Sequence, residues 1–349
     1  MVLKGVWLVS GYGIAKCFES VDNVRAQGNG GVMKKVVVFG GSGFIGRHVV
    51  SNLTLRGHNV SVFTRSQEKA AQLKLGGNLG QVQIVPGDVS NSLLVEKLIT
   101  ECDVVINLVG SMSPRKDVLR YLHVTVPGAM AKFAEKHGKM FIHFSAMGSD
   151  IAISSVYATS KLEGENTVRG VYKDAVIVKP NLVFGDEDHF FSKFARLARV
   201  LPFLPIVGGD SLLQPVYVAE LAERVSVMIE KHETGKTIEI CGPKTYSLRD
   251  LMEFILRVTA RNKPVLVLPN VIARVFAFCC EFALVSFILK PLTGNGEPIL
   301  TMDQLELMKY NITAGDSVGG NVQTLKRSLE KIMPDCLAIY KKRSEGSCA

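Results

Sequence analysis

The stretch at 34–46, KKVVVFGGSGFIG, restricts what this chain can fold into more than any other. A short β-branched strand at 36–39 runs into a turn with glycines at 40, 41, 43 and 46, and then into a helix that begins near Phe44. An unbroken apolar run of this kind suits a strand buried on both faces. Gly41, Gly43 and Gly46 fit G-x-G-x-x-G, while Gly40, Gly43 and Gly46 fit G-x-x-G-x-x-G. In either register a dinucleotide pyrophosphate is expected at the helix start, where unpaired backbone N–H groups and the positive end of the helix dipole attract an anion. A Cβ at these glycines would obstruct the turn, the approach of phosphate to backbone, or the packing of helix on strand. Ser42, Phe44 and Ile45 lie within the same loop and first turn and are expected to line the nucleotide. The alternative is a glycine-rich turn that holds no ligand.

Downstream, apolar strand patterns at 60–63, 82–85, 104–109, 140–144 and 175–178 alternate with helical patterns, notably at 119–137 and 157–169. Such alternation predicts an α/β fold, a doubly wound parallel sheet of the Rossmann type. With 349 residues there is room for a second unit. The expected organisation is an extension at 1–32, a dinucleotide-binding domain at 33–185, a smaller C-terminal α/β domain on the substrate side at 186–325, and a basic tail at 326–349. The extension carries only a short, interrupted apolar run and ends rich in Gly, Asn and Gln, so it reads as disordered, with Met33 as an alternative start.

The end of the second strand bears on which nicotinamide cofactor is held. An acidic residue there would bind the ribose 2′-OH of NAD, but this strand ends Phe63-Thr64-Arg65-Ser66. Arg65 can make a paired, charge-assisted contact with a 2′-phosphate, which favours NADP(H) over NAD. Arg47, just inside the first helix, is a second candidate for the phosphate, and Asp88 either meets the adenine edge or caps a helix.

A second constellation is Tyr157-Ala-Thr-Ser-Lys161. Residues four apart on a helix share a face, so phenol and ammonium should point into one cleft. A neighbouring cation favours the phenolate, and the expectation is a Tyr157 pKa below its ordinary value of ~10, suited to proton exchange with a carbonyl or alcohol. Lys161 can also hold the nicotinamide ribose.

Taken in order, GGSGFIG, the GD at 87–88, NLVG at 107–110, YATSK and KPNLVFG at 179–185 resemble the short-chain dehydrogenase/reductase superfamily in its extended or atypical branch, over about 33–260. More narrowly, VKPNLVFGDEDHF and the QPVYVAELA at 214–222 are similar to the dehydrogenase-like, NADPH-binding accessory subunit of respiratory complex I and its bacterial relatives. The resemblance implies that Val109, Gly110 and Pro180 also line the cofactor, that Tyr157, Lys161 and Ser145 are the catalytic set, and that turnover is slight or absent. One departure bears on activity. The superfamily's hydroxyl is expected one or two positions beyond Ser145, where Ala146 and Met147 stand, so Ser145 is expected to face the cofactor rather than a substrate.

Composition narrows the partners. Forty-one basic against 32 acidic side chains give +9, compatible with a phosphate-bearing ligand or an anionic membrane surface. No Lys/Arg cluster interleaves with aromatics, which argues against nucleic acid. The seven cysteines lack C-x-x-C spacing, so no metal site or disulfide framework is expected, and a reducing compartment is. The apolar run at 271–289, VIARVFAFCCEFALVSFIL, contains Arg274 and Glu281, which favours docking on a partner or membrane interface over a packing helix, and either over a span. His189 reads as a packing or surface residue.

These residues are compatible with two functions. One is an NADPH-holding accessory or assembly component of a respiratory complex, peripheral to the bacterial inner membrane on its cytoplasmic side or to the mitochondrial inner membrane on its matrix side. The other is an NADP-dependent oxidoreductase or epimerase acting on a sterol-like, quinone-like or sugar-nucleotide substrate through Tyr157 and Lys161.

Overall fold

The computed structural model describes residues 32–281, 301–316 and 321–342. Its centre is a parallel sheet of eight strands: β1 (Lys35–Phe39), β2 (Asn59–Thr64), β3 (Val82–Pro86), β4 (Val104–Asn107), β5 (Met140–Phe144), β6 (Val176–Pro180), β7 (Thr237–Cys241) and β8 (Val322–Thr324). Their spatial order is β8-β7-β6-β5-β4-β1-β2-β3. The order reverses between β1 and β4, and at such a switch point a crevice opens beyond the carboxyl ends of the strands. Six strands match the sequence reading to within two residues at each end. The sheet also takes β7 and β8 from beyond residue 185, and β8 carried no pattern long enough to be recognised.

Alternation along β1 explains the two-sided burial. Val36 and Val38 face a layer containing Val49, Val50 and Leu53 of helix α1 (Phe44–Leu55). Val37 and Phe39 face the opposite layer, with Val95 and Ile99 of α2 (Ser92–Thr100) and Met130, Ala131 and Ala134 of α3 (Val126–Lys136). Burying each large apolar side chain contributes roughly 1.5–3 kcal/mol, so both faces need their helices for the sheet to persist. Helix α4 (Val156–Val171) follows β5 and carries Tyr157 and Lys161.

A second apolar cluster unites α5 (Phe190–Val200) and α7 (Leu248–Val258), while α6 (Val218–Glu230) packs with α1 on the sheet. Ser247 and Asp250 form the capping box that starts α7. The expected basic tail is partly folded: α10 (Leu329–Cys336) buries Leu329 and Met333 in the same cluster. Between these, α8 (Asn270–Glu281) and α9 (Met302–Leu307) pack together through Ala273, Ala277 and Leu305. Of the apolar run at 271–289, the part from 282 onward lies outside the described residues, as does the extension at 1–31.

Candidate functional site

The glycine turn is built as the spacing requires. Gly40 adopts φ +79°, and its carbonyl accepts the Gly43 N–H at 3.0 Å. A Cβ on Gly46 would lie 2.4 Å from that same oxygen, so only glycine lets the first turn of α1 close onto the loop. Gly41 is buried and an added Cβ would meet Val62 at 3.0 Å, whereas Gly43 is exposed. At the start of α1, Gly43 supplies no side-chain cap and the first turn holds no acidic residue. The N–H groups there have no intrahelical acceptor, which fits a pyrophosphate. Ile45 packs on the core beneath, Phe44 meets His48 and His189 edge-on, and Ser42 shares a 2.7 Å hydrogen bond with Thr64. Arg47 pairs with Glu187, while its Nε is buried and makes no hydrogen bond among the described residues.

At the end of β2, Arg65 is exposed, free to meet an anion approaching from solvent. Asp88 accepts the Ser90 N–H at 2.9 Å, while Asn91, not Asp88, caps α2. The bond from Ser90, with help from the Arg65 charge, holds the Asp88 carboxyl below the usual range.

Beyond β4, Asn107 accepts the Val109 N–H at 3.1 Å and so bends the chain at Val109 and Gly110 toward α4. A Cβ on Gly110 would approach Lys161 Nζ at 3.4 Å and His123 Nε2 at 3.5 Å, so this bend stands beside the Tyr-Lys face. Lys161 is buried and donates to the Phe144 carbonyl at 3.2 Å, the end of β5. Burial pushes its pKa down to about 8, with Glu165 opposing. Tyr157 departs from expectation: burial, with the Asp303 carboxylate adding to it, pushes its phenol up to about 12. Desolvation sets the sign, and the Lys161 ammonium expected to oppose it is turned toward a backbone carbonyl.

His123 is a neighbour that sequence reasoning missed. Its ring meets Tyr157 edge-on at 5.5 Å, accepts the Ser111 N–H at Nε2, and shares a hydrogen bond with Ser160 at Nδ1. Burial pushes its pKa down to about 3, so it is a neutral fixture. It projects from a π-turn, Tyr121–Thr125, that interrupts the helix expected at 119–137. Pro127 lacks the N–H that would bond the His123 carbonyl, and the helix widens there. A proline inside a helical pattern was the signal.

Ser145 is committed elsewhere. Its hydroxyl and that of Ser149 both donate to Glu165, Ser149 at 2.6 Å. Glu165 stands 3.7 Å from Lys179, which also meets Asp150 and Glu239 at 3.2 Å each. Glu165 falls four residues after Lys161, on the same stripe of α4, so its nearness was legible; the partner on β6 was not. The Met147 N–H bonds the Pro180 carbonyl at 3.0 Å, which fixes the buried Pro180 beside this loop.

The segment after residue 300 completes the surroundings. Asp303 accepts from Ser155 Oγ and from the N–H groups of Val156 and Tyr157, capping α4. Ile312 packs on Gly148, and its carbonyl accepts from Asn181 at 2.8 Å. Among the described residues no group of His, Cys, Asp and Glu is arranged to hold a metal ion. No helix among them is long and apolar enough to cross a membrane.

A doubly wound sheet, a glycine loop open to an anion at its switch point and a Tyr-x-x-x-Lys helix beside that crevice define a dinucleotide-binding protein of the short-chain dehydrogenase/reductase class. The pattern of the NAD dependent epimerase/dehydratase family matches residues 36–241, more than half of the chain, and the chain belongs to that family. It is 34% identical over 231 residues to the mouse (Mus musculus) protein "NADH dehydrogenase [ubiquinone] 1 alpha subcomplex subunit 9, mitochondrial", a match covering 64% of this chain and 61% of that protein. To the protein of the same name from Arabidopsis thaliana it is 27% identical, over 88% of this chain and 82% of the relative. Among solved structures, the epimerase Mth375 of Methanothermobacter thermautotrophicus superposes with a TM-score of 0.61 at 16% identity, over 92% of this chain and 96% of that one, a likeness of fold.

Proposed function

We propose that this protein is an NADP(H)-holding accessory or assembly component of an NADH:ubiquinone oxidoreductase, with little or no turnover of its own. The observation that carries the reading is the disposition of the three expected catalytic groups. Ser145 donates to Glu165, Lys161 donates to the Phe144 carbonyl, and the Tyr157 phenol is held protonated. The Ser145 and Lys161 side chains each make a bond that stabilises the fold, and Ala146 and Met147 stand where a substrate-facing hydroxyl is expected. The names of the mouse and Arabidopsis relatives support the assignment to a respiratory complex.

In this reading the N–H groups at the start of α1 and the Arg47 guanidinium take the pyrophosphate, Arg65 takes the 2′-phosphate, and Val109, Gly110 and Pro180 border the nicotinamide half. The cofactor, when bound, supplies a hydride carrier; the chain supplies anchorage. On α8, Val271, Ile272 and Val275 are exposed beside Arg274, an apolar and basic face suited to a partner subunit or to anionic lipid. Such docking puts the protein on the matrix or cytoplasmic face of an energy-conserving membrane. The test is affinity purification from detergent-solubilised membranes: subunits of the oxidoreductase are expected in stoichiometric yield, and recovery of the chain alone would refute the assignment.

Tyr157 and Lys161 on one face of α4 favour a second reading, an NADP-dependent reductase or epimerase. There Tyr157 would donate the proton to a carbonyl oxygen and Lys161 would hold the ribose. Loss of cellular function in Tyr157→Phe with nucleotide binding intact would select it.

A further inference from the structure

The loop after β6 reaches back across the crevice. In the sheet, β6 and β1 are separated by β5 and β4, so at ~4.8 Å per strand their ends lie roughly 14 Å apart. Two contacts nonetheless join the segments beyond these ends: Glu187 pairs with Arg47 of α1, and His189 meets Phe44 with ring centroids 6.4 Å apart. Between these strands lies the switch point at which a dinucleotide binds. The loop is held firmly on either side of Glu187. Gly185 sits with Val218 against its Cα, and Asp188 caps α5 by accepting the Phe191 N–H at 2.5 Å. Glu187 itself adopts φ +61°, a left-handed conformation that a non-glycine residue keeps only where its surroundings enforce it. Its side chain is 71% exposed, against 29% for Arg47, so the carboxylate is the partner free to swing.

We propose that the Arg47–Glu187 pair is a gate across the cofactor crevice, which slows the exchange of bound dinucleotide without setting its affinity. This rests on the cofactor-holding reading above and explains how a protein without turnover keeps its nucleotide. Arg47 spends Nη1 on Glu187, and its buried Nε has no hydrogen-bond partner among the described residues, so the guanidinium is not saturated by the fold and keeps capacity for a ligand phosphate. With Glu187 engaged, the strap stays closed over the pyrophosphate; nucleotide passes in or out when the carboxylate swings to solvent.

The test is stopped-flow fluorescence of NADPH binding to the full chain and to Glu187→Gln, with displacement by excess NADP giving the dissociation rate. Association and dissociation should both accelerate about two- to fivefold in the variant, the range a partly exposed ion pair supports, with Kd changed less than twofold. Wild-type rates should rise with ionic strength more steeply than those of the variant. Tighter binding with an unchanged or slower dissociation rate would overturn the gate, making Glu187 a competitor for the phosphate. Rates indifferent to the substitution would overturn it as well while leaving the cofactor reading intact. A wild-type protein that binds neither NADPH nor NADH would remove both. Glu187→Asp, which keeps the charge, should restore most of the slow exchange.

Discussion

Asp303 closes the amino end of the helix that carries Tyr157, accepting the Tyr157 N–H at 3.1 Å and the Val156 N–H at 2.5 Å. A carboxylate at a helix start satisfies unpaired donors and complements the dipole. Asp303→Ala is therefore expected to cost about 1–2 kcal/mol, read as a lower urea midpoint. The same substitution removes the secondary cause of the raised Tyr157 pKa. Ultraviolet titration should show the phenol ionising at lower pH than in the wild type, while burial keeps it above the ordinary value of ~10.

Arg65→Asp should weaken NADPH by tenfold or more and NADH only slightly, because a paired charge-assisted contact with a 2′-phosphate is exchanged for repulsion. Equilibrium titration with both nucleotides checks it. Equal loss of the two would assign Arg65 no part in specificity.

Gly46→Ala should abolish nucleotide binding and lower stability by several kcal/mol, since the new Cβ would fall 2.4 Å from the Gly40 oxygen and 2.6 Å from the Gly41 Cα. Backbone atoms on both sides leave it no room. Gly43→Ala, with 3.3 Å to its nearest neighbour, should fold and lose affinity alone. Circular dichroism separates the two outcomes.

Acid should destabilise the fold through its buried imidazoles. Burial holds His123 at about 3 and His48 at about 4, both below the usual 6.5. As pH falls through 6.5 the unfolded chain takes up protons at these rings and the folded chain does not, so stability is lost from pH 7 toward 5, by about 2 kcal/mol for each ring. Urea denaturation of wild type and His123→Gln at the two pH values tests this; the variant should lose about 2 kcal/mol less.

Much of this architecture was legible because it is local. The β-branched run at 36–39, the glycine spacing and the four-residue step from Tyr157 to Lys161 each report on a few consecutive residues, and each stands where those residues require. What escaped was tertiary. The Lys179 ammonium, caged by Asp150, Glu165 and Glu239, draws on β6, β7, α4 and a loop, and no spacing announces it. The Tyr157 pKa was inferred from a charge four residues away, but its sign is set by desolvation and by Asp303, which lies 146 residues farther along the chain. Val322–Thr324, three residues long, becomes a strand only because β7 offers an edge.

The whole reading rests on a resident phosphorylated dinucleotide, and native mass spectrometry of the protein, purified without added nucleotide, weighs it directly. One NADP(H) per chain is the expected adduct, displaced in Arg65→Asp. A chain that emerges at its bare mass, and stays there after incubation with saturating NADPH, would contradict it.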